Sequence, residues 1–401
     1  EAAGVPHRFV VTGAADSFDA ERLIQDTRRI CETAIRFWHR RGKPPHADYL
    51  FLLHAVDDGY GGLEHRNSTA LICGRRDLPR LGASRSSEGY VTLLGLISHE
   101  YFHTWNVKRL RPAEFARYDY ARENYTELLW FFEGFTSYYD DLLLHRAGLI
   151  DRPTYLRLLG KTINQVLQTP GRAVQSVAQA SRDAWIRYYR PDEGTPNSTV
   201  SYYTKGALVA LCLDLTLRGE GRGNLDDVMR GLWRHCAGGP MTEDDLLSEL
   251  QRVAGRSMAP ELAEWVHGTG ELPLRERLRA HGVQVSEEPD AWAQRLGLRV
   301  SEDASGIRIK NVLRGGAAEK AGLAAGDEWL GIETRGAGPR RGWRLQRLDD
   351  LALYAGTTQS VQALVSRDRQ LLRLPLRLTA GGQTWRLAPG EQPGPTRWPL
   401  P

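Results

Sequence analysis

The chain has 401 residues, 41% hydrophobic and 25% charged, an ordinary globular composition with room for two or three domains. Its formal net charge is only +4, and no basic run is interleaved with aromatics, which argues against a nucleic-acid partner. No apolar stretch approaches the ~20 residues that span a bilayer; "DDLLLHRAGLI" comes nearest and is interrupted by charges.

Residues 1–85 mix strand and helix signals. "HRFVVTG" and "DYLFLLHAV" read as strands, "NSTALICG" as a third, and "DAERLIQDTRRICETAIRFWHR" between the first two has apolar residues at helical spacing. Residues 86–283 read almost entirely as helix. Ser86 or Ser87 caps the first, a second runs over about 124–146 with Gly148 as its stop, and Asp151 with Pro153 opens another. Further helices are expected near 200–218, 225–236, 242–254 and 260–267. From 284 to 380 the pattern becomes alternating and Gly-punctuated, a small β-rich domain. Residues 381–401 form a Pro-rich tail, whose end "GEQPGPTRWPLP" is expected to be extended or disordered. The fold class is thus α+β. Cys31, Cys73, Cys212 and Cys236 show no C-x-x-C spacing, so a cytoplasmic, reducing compartment is expected; the chain starts at Glu1, so a targeting segment can lie outside it.

The chemistry concentrates in "SHEYFHTWNVKRLRP". On a helix, positions i and i+4 share a face, so His99 and His103 can point at one ion at a spacing zinc accepts. Glu100, about 100° round the helix from His99, borders that face, close enough to hold a water and take its proton. A half-buried helix with two satisfied histidines is the alternative. Zinc needs a third protein ligand and an open fourth position. Glu133 in "LLWFFEGF" is a carboxylate in an apolar run, a placement that is costly without a partner.

H-E-x-x-H followed by W-x-x-E-G-F resembles the gluzincin metallopeptidases, in which the second motif's glutamate is the third zinc ligand. The closest resemblance is to the glycyl aminopeptidase family, carried by "GYGGLEHRNST", "SHEYFHTWNVKRLRP", "ENYTELLWFFEGFTSYY" and "YYTKG" over most of residues 47–215. It implies a thermolysin-like catalytic domain, a small N-terminal sheet followed by helices, then a PDZ domain over 284–380, and one Zn²⁺ per chain on His99, His103 and Glu133. The resemblance also implies an N-terminal β domain, which is expected to be missing from residues 1–401. The connection from His103 to Glu133 is longer than in alanyl-type zinc aminopeptidases, with "LRPAEFARYDYARENY" as an inserted loop beside the site.

The resemblance assigns Tyr203 of "YYTKG" to oxyanion stabilisation, with Tyr202 as competitor. It assigns Glu64 of "GGLEH" to the substrate α-amine, with Gly61 and Gly62 admitting the substrate backbone; an edge-strand charge is the alternative for Glu64. Asp140 or Glu123 is expected to orient a ligating histidine, while His54 and His65 read as structural. Leu296, Gly297 and Leu298 resemble the carboxylate-binding loop of a PDZ groove, which would take a peptide or a C-terminus as an added strand. The implied function is a zinc aminopeptidase acting through metal-activated water with Glu100 as general base, on peptides beginning with Gly or Ala. The rivals are a zinc endopeptidase and a PDZ-bearing binding protein with a non-catalytic metal site.

Overall fold

The computed structural model describes residues 1–334, 340–378, 382–390 and 398–399. Four strands form the N-terminal sheet: β1 (His7–Thr12), β2 (Tyr49–Val56), β3 (Gly61–Glu64) and β4 (Ser68–Gly74), in the order β1-β2-β4-β3. β1, β2 and β4 are parallel, and β3 runs antiparallel along the edge of β4. In β2 the alternation is strict: Tyr49, Phe51, Leu53 and Ala55 are buried, so the strand's inward face follows from its period of two. They share a core with α1 (Ala20–His39), whose N-cap Asp19 accepts a hydrogen bond from the Arg22 N–H at 3.0 Å. The sheet's other face leaves Val10, Leu52 and Ile72 exposed.

The body is helical. α2 (Glu88–Phe102) begins at Ser87, whose hydroxyl accepts from the Tyr90 N–H; the neighbouring Ser86 is instead held by Arg22. α3 spans Leu129–Arg146, five residues shorter than expected at its start. The Asn124 side chain satisfies the carbonyls of Asp119 and Arg122, and Thr126 accepts from the Leu128 N–H. Local side-chain bonds of this kind compete with helix. Gly148, with φ +68°, stops the chain just past α3, and Asp151 caps α4 (Arg152–Leu167) with Pro153 in its first turn. Beyond them lie α5 (Val177–Arg182), α6 (Thr195–Ser198), α7 (Tyr202–Gly219), α8 (Leu225–His235), α9 (Glu243–Ala254), α10 (Ala259–Leu262) and α11 (Leu274–Ala280), with the short strands β5 (Arg111–Pro112) and β6 (Pro240–Met241) paired parallel; α5, α6 and α11 were not expected individually, being only one or two turns long.

α3 and α7 touch backbone to backbone. A Cβ on Gly134 would lie 2.6 Å from Gly206 Cα, and one on Gly206 would lie 2.5 Å from the Trp130 carbonyl oxygen. Because only glycine lets helices approach this closely, Gly206→Ala is expected to cost about 1–3 kcal/mol by overpacking, read as a lowered denaturation midpoint. Below the contact, Asp214 of α7 is fully buried and accepts from Tyr138 Oη (2.7 Å), Arg218 Nε (2.9 Å) and the Leu225 N–H (2.8 Å). Its three acceptor bonds tie α3, α7 and α8 together.

A second core is formed by α12 (Trp292–Leu296), β8 (Leu298–Asp303), β9 (Gly306–Val312), α13 (Ala317–Ala321), β10 (Glu328–Thr334), β11 (Arg341–Arg344), α14 (Asp350–Ala355), β12 (Ser360–Arg367) and β13 (Gln370–Arg377). Its main sheet runs β13-β12-β10-β9-β8. Two strands flanking this unit belong elsewhere: β7 (Val283–Pro289) pairs antiparallel with β14 (Gln383–Pro389) from Val283↔Pro389 to Pro289↔Gln383. Val283, Val285 and Leu387 are buried in the helical body's core. Asn164 of α4 grips β14, donating to the Trp385 carbonyl and accepting from its N–H, both at 2.8 Å. The first part of the segment assigned to a tail is therefore a strand, whose apolar residues find a partner only in three dimensions. Further on, Trp398 is buried and donates from Nε1 to Tyr138 Oη at 3.2 Å; residues 391–397 and 400–401 of the expected tail lie outside the described residues.

Candidate metal centre

α2 and α3 are buried on nearly every side, as befits helices at the centre of a core, and their packing brings three side chains together. His99 Nε2 lies 3.4 Å and His103 Nε2 3.2 Å from the same Glu133 oxygen, and one ligand atom from each of the three residues falls within 4.8 Å of the others. Ligands about 2.0–2.1 Å from a tetrahedral zinc stand roughly 3.3 Å apart, so these separations fit such an ion. Two imidazoles and a carboxylate are also a donor set of catalytic zinc, one that leaves a corner open.

The outward ring nitrogens are taken. His99 Nδ1 lies 3.1 Å from Asp140 Oδ2, and His103 Nδ1 donates to the Asn106 carbonyl at 2.7 Å. Each Nδ1 is engaged as a donor, so each Nε2 lone pair faces the cluster. Asp140, seven residues after Glu133, is thus the orienting carboxylate; Glu123 sits exposed in the loop before α3. Asn106 is fixed in turn by donating to the Phe132 carbonyl and Thr136 Oγ1. Burial disfavours charge on His99, yet the hydrogen bonds and charges of Asp140 and Glu133 prevail and raise its pKa well above the usual value. Burial likewise opposes ionised Glu133, but His103 and His99 hold its carboxyl far below the usual range. The positive charge that a buried carboxylate needs is supplied there by the two imidazoles.

Glu100 is 5% exposed, and its Oε2 is buried with no partner among the described residues. A buried acceptor left unpaired is costly. Burial, partly offset by His103 and His99, raises its pKa. The β3 edge passes directly over it: a Cβ on Gly62 would overlap the Glu100 carboxylate, while Gly61 has open space. Tyr203 stacks near His99, ring centroids 6.3 Å apart at 27°, and its hydroxyl makes no hydrogen bond among the described residues. Burial, then the Glu133 charge, drives its pKa far up, keeping it a donor. Tyr202 is fully buried, with its hydroxyl 3.5 Å from that of Tyr189. Among the two, Tyr203 is the one presented to the cluster. His54 bonds Thr12, and His65 bonds the Leu63 carbonyl; neither joins the three ligands.

Sequence reasoning missed Lys108. Its Nζ sits 3.0 Å from Glu64 Oε1, both side chains largely buried. The chain reaches this position through Val107, whose φ of 128° is strained for a β-branched residue. The Val107 N–H on the Leu110 carbonyl and the Lys108 N–H on the His103 carbonyl hold it there. A lysine one turn past H-E-x-x-H carries no linear signal for a pairing with a strand edge. In the C-terminal unit, Leu296 and Leu298 are buried, and Gly297, at φ +73°, caps α12 with its N–H turned back to the Gln294 carbonyl. That N–H serves the helix end.

The M61 glycyl aminopeptidase family pattern matches residues 92–209, and the PDZ pattern matches residues 284–335. Among solved structures, an aminopeptidase N family protein from Idiomarina loihiensis is 35% identical at TM-score 0.90, over 98% of this chain and 68% of that one. An M1 zinc metallopeptidase from Deinococcus radiodurans is 18% identical at TM-score 0.45, over 67% of this chain and 50% of that one. No curated protein sequence gives a significant match.

Proposed function

We propose that this chain, which belongs to the M61 glycyl aminopeptidase family and is a metallopeptidase, removes single residues from the amino terminus of peptides with one zinc ion held by His99, His103 and Glu133. The observation that carries this is the convergence of those three ligands beside a buried, unpartnered Glu100 oxygen. Zinc bound there supplies Lewis-acid polarisation of a water and of the scissile carbonyl. Glu100 takes the proton from the water and hands it to the departing amine. Tyr203 donates to the oxygen that gains charge as the carbonyl is attacked, a contact worth most in the transition state. Asp140 and the Asn106 carbonyl keep both imidazoles turned inward.

Glu64 would hold the substrate's α-ammonium, with Gly61 and Gly62 letting the substrate backbone lie along β3. The preference for Gly or Ala as first residue is supported by the family alone. The Lys108–Glu64 ion pair favours a second reading, a zinc endopeptidase, because an ammonium already occupies the carboxylate. Gly-p-nitroanilide, free peptides and their N-acetylated forms, assayed alongside zinc content, separate the two. An aminopeptidase turns over only free amines, and equal cleavage of acetylated peptides would establish the endopeptidase. If the aminopeptidase reading holds, Lys108→Met should relieve competition for Glu64. The expected KM for free-amine substrates falls roughly fivefold, equivalent to about 1 kcal/mol, as read from initial rates.

The partners we propose are peptide substrates and, at the PDZ-type unit, a peptide ligand. Placement in the cytoplasm is supported by four free cysteines, three of them buried. Among the described residues no helix is long and apolar enough to cross a membrane.

A further inference from the structure

We propose that Trp185 and Tyr189 form a subsite for apolar side chains on the departing part of the substrate, reached from the metal ligands through Tyr203 and Tyr188. The inference rests on the aminopeptidase reading. From His99 a series of rings leads outward: Tyr203 at 6.3 Å, then Tyr188 at 5.6 Å, Tyr189 at 5.4 Å and Trp185 at 6.4 Å, centroid to centroid. Of the inner rings, Tyr203 is part of the site and Tyr188 is already 38% exposed. The outer rings are more open still: Tyr189 is 61% and Trp185 49% exposed, with Ile186 at 58% between them.

Single exposed apolar residues need no explanation, but a contiguous aromatic series that leads to the metal ligands does. These rings are also fixed in place. Trp185 Nε1 donates to the Asn124 carbonyl at 3.2 Å, and the Tyr189 hydroxyl meets that of Tyr202 at 3.5 Å. Ala184–Tyr188 form one π-helical turn, a local widening that is found disproportionately at functional sites. Gln175 anchors Asp183 just before it at 3.0 Å. A rigid aromatic platform gains contact area without paying for side-chain ordering, and its faces take aliphatic and aromatic partners alike.

The direction follows from the reaction. An aminopeptidase has one residue on the amine side of the scissile bond, and Glu64 with Gly61 and Gly62 accounts for that side. A surface extending several rings from the cluster reaches further than one residue, and so would meet residues that follow the bond.

The test compares kcat/KM for Gly-Ala-Phe-Leu-amide and Gly-Ala-Ala-Ala-amide with the zinc-loaded full chain. The wild type should prefer the apolar peptide by about tenfold, in the range that hydrophobic pockets discriminate. The double variant Trp185→Ala, Tyr189→Ala should bring the ratio close to one, and Trp185→Phe should retain most of it. Because the readout is a ratio, a general loss of stability or zinc does not imitate the effect. No preference in the wild type, or a preference that survives in the double variant, overturns the subsite. Cleavage of the N-acetylated peptides at equal rates would overturn the aminopeptidase reading instead, whatever the ratio.

Discussion

Glu100→Gln is expected to keep zinc at one ion per chain while lowering turnover of a Gly-anilide by about 10²–10⁴-fold, the contribution of a positioned general base. Glutamine is the informative replacement because it fills the same space under Gly62, where the backbone passes so close that a Cβ would overlap the side chain. His99, His103 and Glu133 are untouched, and their supports on Asp140 and Asn106 do not involve residue 100. Elemental analysis and initial rates on one preparation give both numbers. Turnover near the wild-type value would show that the proton passes elsewhere and would end the mechanism as proposed. Loss of zinc with activity would show instead that Glu100 supports the metal.

The second large effect is on stability. Asp214→Ala should destabilise the protein by about 3–5 kcal/mol, the cost of breaking a buried ion pair at one end, with a fall in Tm on the order of 10 °C. The side chain of Arg218 is 7% exposed and that of Asp214 1%, so removing the carboxylate strands a guanidinium, a tyrosine hydroxyl and a helix-start N–H together. Asp214→Asn keeps one acceptor oxygen, enough for Tyr138 on the Oδ2 side or for the Leu225 N–H on the Oδ1 side but not for both, and should cost less. Thermal unfolding of the two variants beside the wild type checks the order. Equal and small shifts would mean that water replaces the carboxylate at no cost.

What could be read from the linear chain was local. The i, i+4 histidines, the Ser87 cap, the alternation of β2 and the stop at Gly148 all depend on neighbours a few residues apart, and periodicity reports those contacts. Glu133 was readable because a carboxylate in an aromatic run asks for a cation, and Asp140 because seven residues return to the same helix face. Beyond that reach the sequence is silent. The Lys108–Glu64 pair, the Asn106 carbonyl behind His103 and the meeting of Gly134 with Gly206 join residues whose partners are set by how helices and sheet pack. The start of α3 was misjudged because Asn124 and Thr126 spend their side chains on nearby backbone, a competition that composition alone does not resolve. The strand β14 hid in a proline-rich ending for the opposite reason: its partner, β7, lies almost a whole domain earlier in the chain.

That pairing makes the PDZ-type unit a cassette rather than an appendage. The polypeptide leaves the body at Pro289 and re-enters opposite it at Gln383, so a tight turn could bridge the gap if everything between were cut away. It also sets an order of events during synthesis. Leu387 and Trp398 belong to the first core yet emerge from the ribosome after the whole cassette, so the peptidase body waits for residues beyond the cassette before it can close.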